Sequence, residues 1–115
     1  MSRALDSGTM TDRPTSATIE PTWLIEATYA PDAAETRVPF RGRHLARLVE
    51  LMDAGIVVAA GAYADVSASI VVVRAADEQA ALKIARSDIY MANGVWVEVR
   101  ARPFGLVLRP GAAGS

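Results

Sequence analysis

Phe40-Arg41-Gly42-Arg43-His44-Leu45-Ala46-Arg47-Leu48-Val49-Glu50-Leu51-Met52-Asp53-Ala54-Gly55 reads as an amphipathic helix with its own stop. Leu45, Leu48, Val49 and Met52 stand at i, i+3, i+4 and i+7, the spacing of one helical face. Pro39 lies just ahead of the start, and Gly55 is the residue type that closes helices. On a wheel of about 100° per residue, Arg41 falls near the centre of the apolar arc and His44 about 60° to one side, still inward. Arg43, Arg47, Glu50 and Asp53 take the opposite, solvated half. Two ionisable groups therefore lean inward where apolar ones are expected, and their burial is costly unless they are paired. A partner carboxylate beside a cleft is the functional explanation. A hydrogen-bonded structural imidazole is the plainer one.

Working outward, Thr22–Ala30 reads as a strand rich in aromatic and β-branched residues, with Trp23, Ile25, Ala27 and Tyr29 on one face. Pro31-Asp32 ends it, and residues 31–39 read as a loop. After the helix, Ile56–Ala60 is a strand apolar on both faces, which predicts cover on both. Gly61–Asp65 is turn-like, and Ser67–Arg74 is the next strand of an antiparallel hairpin. Asp77 can cap a second helix running to about Arg86, with Ala81, Ile84 and Ala85 inward. Asp88 can cap a short helical turn that Gly94 ends. Val95–Arg102 alternates, placing Val95, Val97 and Val99 opposite Trp96, Glu98, Arg100 and Arg102; Pro103 closes it, and Leu106–Leu108 can add an edge strand.

The order β-α-β-β-α-β predicts an α+β, ferredoxin-like sandwich: a four-stranded antiparallel sheet with two helices on one face. The domain occupies residues 22–108, flanked by a flexible N-terminal tail, 1–21, and a C-terminal tail, 109–115. The uncovered sheet face would carry Trp96 and Leu24 or Trp23, so a second copy packed on it, a homodimer, is expected. Glu26, Glu98 and Arg100 on that face read as ordinary cross-strand ion pairs.

Composition narrows the function. The 115 residues are 51% hydrophobic and 22% charged, with net charge −1, which supports one packed domain and gives no reason to expect nucleic acid or an anionic membrane as partner. No apolar run reaches the roughly 18 residues of a membrane span, and residues 1–20 lack the apolar core of a signal peptide. With no cysteine there is no disulfide or thiolate metal site, and a cytoplasmic setting is expected. One histidine is too few for a metal centre, and Gly105 and Gly111 make no phosphate loop, so neither metal nor cofactor is expected.

Four blocks resemble the YCII-related family of the dimeric α/β-barrel class. They are the strand ending in Tyr29-Ala30, the run Arg41–Leu48, Gly55 with Ala60–Asp65, and Ser87–Tyr90 with Ala92–Val95 and Arg102–Phe104. The resemblance spans about residues 22–108. It implies a ferredoxin-like dimer, a pocket between sheet and helices, and a His–Asp pair for acid–base work, which by position is His44 and Asp88. Relatives of known chemistry include a dehydrochlorinase of aromatic degradation. The sequence departs from the family in having Asp88-Ile89 for Asp-Pro, and Val66-Ser67-Ala68 where a glycine is frequent.

A carboxylate on one ring nitrogen fixes the imidazole tautomer and makes the other nitrogen the better base. His44 would be the base and Asp88 its orienter. Arg41 can hold a carboxylate or enolate oxygen with its planar fork, and Tyr63 or Tyr29 can donate a hydrogen bond in the same pocket. The expected activity is cofactor-independent proton transfer on a small organic acid or aromatic-derived substrate, as an isomerase, lyase or dehydrochlorinase. A non-catalytic, dimeric small-ligand-binding module, or a purely structural dimer, is the alternative.

Overall fold

In the computed structural model, which describes residues 17–110, the chain runs β1 (Thr18–Tyr29), α1 (Ala33–Thr36), α2 (Val38–Asp53), β2 (Val57–Ala62), β3 (Ala68–Val73), α3 (Glu78–Arg86), α4 (Ile89–Ala92) and β4 (Trp96–Leu108). The strands form one four-stranded sheet ordered β2-β3-β1-β4. This is the antiparallel ferredoxin-like sandwich expected, with the helices on one face. Pro21–Gly105 forms one compact unit, and the described residues 17–20 and 106–110, the ends of β1 and β4, fall in a second.

The register explains the core. Trp23, Ile25 and Ala27 pair with Val73, Val71 and Ser69, and Ala60 and Ala62 pair with Val71 and Ser69, so one face of three strands is set by alternation. Ile25, Val57, Val71 and Val73 pack there against Ala81, Leu82 and Ala85 of α3. The alanines let the helix lie close to the sheet. Burying one Ile or Val side chain in such a layer is worth about 1.5–3 kcal/mol. The Asp77 carboxylate accepts from the Ala80 N–H at 2.8 Å, the N-cap expected for α3.

The structure differs from the sequence reading in five places. First, β1 starts at Thr18, inside the segment assigned to the tail; residues 1–16 of that tail lie outside the described residues. Pro21 is tolerated because the β1–β3 register covers only Trp23–Thr28, so no bond to β3 is lost. Second, the expected loop at 31–39 contains α1, and α2 starts at Val38 with Pro39 inside its first turn, a position that needs no donor. Third, β4 runs unbroken through Pro103, which an edge strand permits, and the Thr22 hydroxyl donates to the Phe104 carbonyl at 2.6 Å.

Fourth, Trp96 faces the helices, not the open face. Val97 is 56% exposed, Glu98 is exposed too, and the alternation resumes one residue late with Val99 and Ala101 inward. Trp96 packs edge-on against Tyr29, Tyr90 and His44, and that aromatic cluster outweighs the local period. Fifth, β2 is an edge strand with an irregularity between Val57 and Ala59, and Ala59 is exposed, so its outer face lacks the cover expected.

Candidate active site

The site is built where α2 meets β2 and α4. Asp88 is the N-cap of α4: its Oδ1 accepts from the Tyr90 N–H at 2.9 Å. The same oxygen lies 2.8 Å from His44 Nδ1, and Oδ2 accepts from Arg47 at 3.2 Å. The Tyr90 N–H and the Arg47 guanidinium are donors to this carboxylate, and the His44 tautomer with a proton on Nδ1 completes the set. Without the Asp-Pro of the family pattern, Asp88 is held by its cap bond to Tyr90 and by two side chains from α2.

His44 is 4% exposed and Asp88 1% exposed. The imidazole lies flat on the Tyr90 ring, 3.8 Å between centroids and 10° between planes. Hydrogen bond and stack together fix the ring. With Nδ1 turned to Asp88, Nε2 is left toward a cavity of about 430 Å³ that His44 lines. Arg37, Arg41, Tyr29, Tyr90 and Ser69 form its polar end. Leu45, Leu48, Val49 and Met52 of α2 face Ala60, Ala62 and Val71 across the remainder. The α2 arc expected to face inward lines this cavity, but of its residues His44 alone is buried; Arg41, Leu45, Val49 and Met52 are exposed along an open side.

Tyr63 is not brought to the site. It is 54% exposed and absent from the cavity lining, because Ala60 and Ala62 take the inward positions and residue 63 falls on the other parity. Tyr29 does line the cavity, with its hydroxyl 3.3 Å from the Ser69 hydroxyl.

Sequence reasoning missed three residues. Arg47, assigned to the solvated half, bonds Asp88 and also donates to the Ile84 carbonyl at 2.9 Å, tying α2 to α3 and α4. It sits about 120° from the arc centre on the His44 side, and the i, i+3 spacing to His44 was the available signal. Arg37 lies 6.0 Å over the Tyr29 ring, at the cavity's polar end, inside a segment read as loop. Tyr90 was legible only as part of the Ser87–Tyr90 block. Among the described residues its hydroxyl has no hydrogen-bond partner, although the residue is 1% exposed.

Burial pushes the Tyr90 hydroxyl above its ordinary value of 10.0, with the neighbouring Tyr29 adding to it. The phenol is thus a donor at neutral pH. A raised value in the folded state means the stability it reflects is complete below pH 10 and is lost as pH rises through the raised value. An alkaline fall in stability above pH 10 is expected, shallower in Tyr90→Phe, and urea unfolding followed against pH checks it.

A family model for the YCII-related domain matches residues 22–105. The chain belongs to the YCII-related family. No curated protein matches it. A solved structure of similar fold is 5-chloro-2-hydroxyhydroquinone dehydrochlorinase from Burkholderia phenoliruptrix AC1100, in complex with 2,5-dihydroxybenzoquinone. The TM-score is 0.63 at 16% identity, covering 72% of this chain and 92% of that one. At that identity the likeness speaks for the fold. The match of this YCII chain also covers the cavity, since His44, Asp88 and the lining residues all fall within 22–105. Among the described residues no group of three or more His, Cys, Asp or Glu side chains could hold a metal, and no helix is long and apolar enough to cross a membrane.

Proposed function

We propose that this chain is a small, cofactor-independent enzyme of proton transfer, acting on a small organic acid or an aromatic-derived substrate. The observation that carries it is the buried His44–Asp88 hydrogen bond at 2.8 Å, with Nε2 left toward an open cavity. His44 Nε2 takes a proton from carbon next to a carbonyl or enol, Asp88 holds the tautomer, and Arg41 holds the oxygen on which charge develops. Return of the proton elsewhere is isomerisation; loss of a leaving group from the neighbouring carbon is elimination, the class to which the dehydrochlorinase belongs by its name.

Solvent exchange tests this without knowing the natural substrate. In D2O, 2-oxo acids and hydroxyquinones are expected to gain deuterium at the acidic carbon with the wild-type protein and at background rate with His44→Gln. Equal exchange in both proteins would remove the proton-transfer reading and leave a binding module.

A homodimer through the open sheet face belongs to the same proposal. Leu24, Ile70 and Val72 share that face by register, beside the Arg100 bonds to Glu26 at 2.9 Å and Glu98 at 3.1 Å. Without Trp96 the apolar strip is narrower than the sequence suggested, and light scattering across a dilution series decides it. A cytoplasmic setting is proposed on the absence of cysteine.

A further inference from the structure

Two guanidiniums, Arg37 and Arg41, line the cavity, and neither meets a carboxylate among the described residues. No Asp or Glu lines it either, in a chain whose net charge is −1. Two further polar groups, each on a residue more than nine-tenths buried, also lack partners there: His44 Nε2 and the Tyr90 hydroxyl. Three donors that suit oxygen atoms, the two guanidiniums and the Tyr90 hydroxyl, thus converge on one end, beside the His44 Nε2 that accepts a proton. The other end is an apolar slot between Leu48, Val49 and Met52 and the small side chains of Ala60 and Ala62.

The start of α2 adds an independent sign. Arg41 closes its first turn, where no acidic residue stands, while Arg37 at its N-cap also ends α1. A cation near a helix N-terminus opposes the helix dipole, so Arg41 works against the folded protein until an anion arrives. Asp77 and Glu78 at the start of α3 show the opposite, stabilising pattern in the same chain.

We propose that the cavity takes an amphipathic carboxylic acid, with its carboxylate between Arg37 and Arg41 and its apolar body in the slot between α2 and β2. This rests on the active-site reading above and supplies its substrate class. A volume of about 430 Å³ suits a body the size of an aryl-alkyl chain. Held there, the carbon next to the carboxylate end lies at the His44 side of the cavity.

The test is thermal unfolding at low ionic strength with propanoate, octanoate, 3-phenylpropanoate, the neutral 3-phenylpropan-1-ol and inorganic phosphate as probes, followed by titration for Kd. Affinity is expected to rise with tail length, by up to about fourfold per buried methylene. The neutral alcohol is expected to bind at least tenfold more weakly than its acid, and Arg37→Gln/Arg41→Gln to lose about tenfold or more for every acid. Val49→Lys should abolish the tail dependence while propanoate binding remains. Without ligand, Arg41→Gln is expected to raise Tm by a few degrees.

Equal binding of acid and alcohol, or phosphate matching 3-phenylpropanoate, would overturn the proposal. So would an unliganded Arg41→Gln that melts lower than wild type. The proton-transfer reading fails differently: it falls if exchange persists in His44→Gln, whichever acids bind.

Discussion

Replacing Asp88 with alanine is expected to cost about 3–5 kcal/mol of folding stability, a drop in Tm of order 20 °C. Asp88 is 1% exposed and serves three donors at once: His44 Nδ1, Arg47 and the Tyr90 N–H. Its removal leaves a guanidinium and an imidazole facing an unfilled site, uncaps α4 and frees α2 from α4. The cap alone accounts for about 1 kcal/mol. The larger share comes from the donors left without an acceptor. Asp88→Asn separates the parts, since it keeps the shape and one acceptor oxygen. It should retain about half of the stability and disturb the imidazole instead. The checks are urea unfolding for stability and 15N shifts of the His44 ring for tautomer. Unchanged ring shifts in Asp88→Asn would mean that Asp88 does not orient His44. A loss below about 1 kcal/mol in Asp88→Ala would mean that the carboxylate is only a cap.

The second large effect is on turnover. His44→Gln is expected to lower the proton-exchange rate by about 10²–10⁴-fold, the usual contribution of one general base. Gln keeps a donor for Asp88 and much of the contact with Tyr90, so the fold should survive; circular dichroism verifies that before rates are compared. Arg41→Gln should weaken substrate capture as well as rate, so the two variants split between kcat and KM. A His44→Gln protein with wild-type exchange would remove the proton-transfer reading.

Much of this site could be read from the chain because helical periodicity is strong in α2. The arc that holds Arg41, His44, Leu45, Leu48, Val49 and Met52 is a local property of the sequence, and all six line the cavity. Asp88 was placed by resemblance, and its cap by residue type. What escaped depends on tertiary partners. Trp96 faces the helices because three rings wait there, which no alternation in β4 could indicate. Arg47 leaves its solvated position because its long side chain can reach back to a buried carboxylate. Tyr63 points away because β2 shifts register by one residue at its start.

Val66 shows how a departure from the family pattern is accommodated. It stands at φ 59, in the left-handed region where glycine is at ease and a β-branched residue is strained by about 1–2 kcal/mol. Its side chain packs against the cluster around Tyr29 and Trp96, which offsets that strain.

The two sides of the cavity answer to different constraints. His44, Asp88, Arg47 and Tyr90 are interlocked through α2, α3 and α4, so a change at one disturbs the rest. Ala60 and Ala62 stand on an edge strand and carry only methyl groups into the slot. Enlarging either alanine on the rim of the sheet would therefore reshape the slot while leaving the His44–Asp88 pair untouched. The form of the slot and the integrity of the pair are physically uncoupled here.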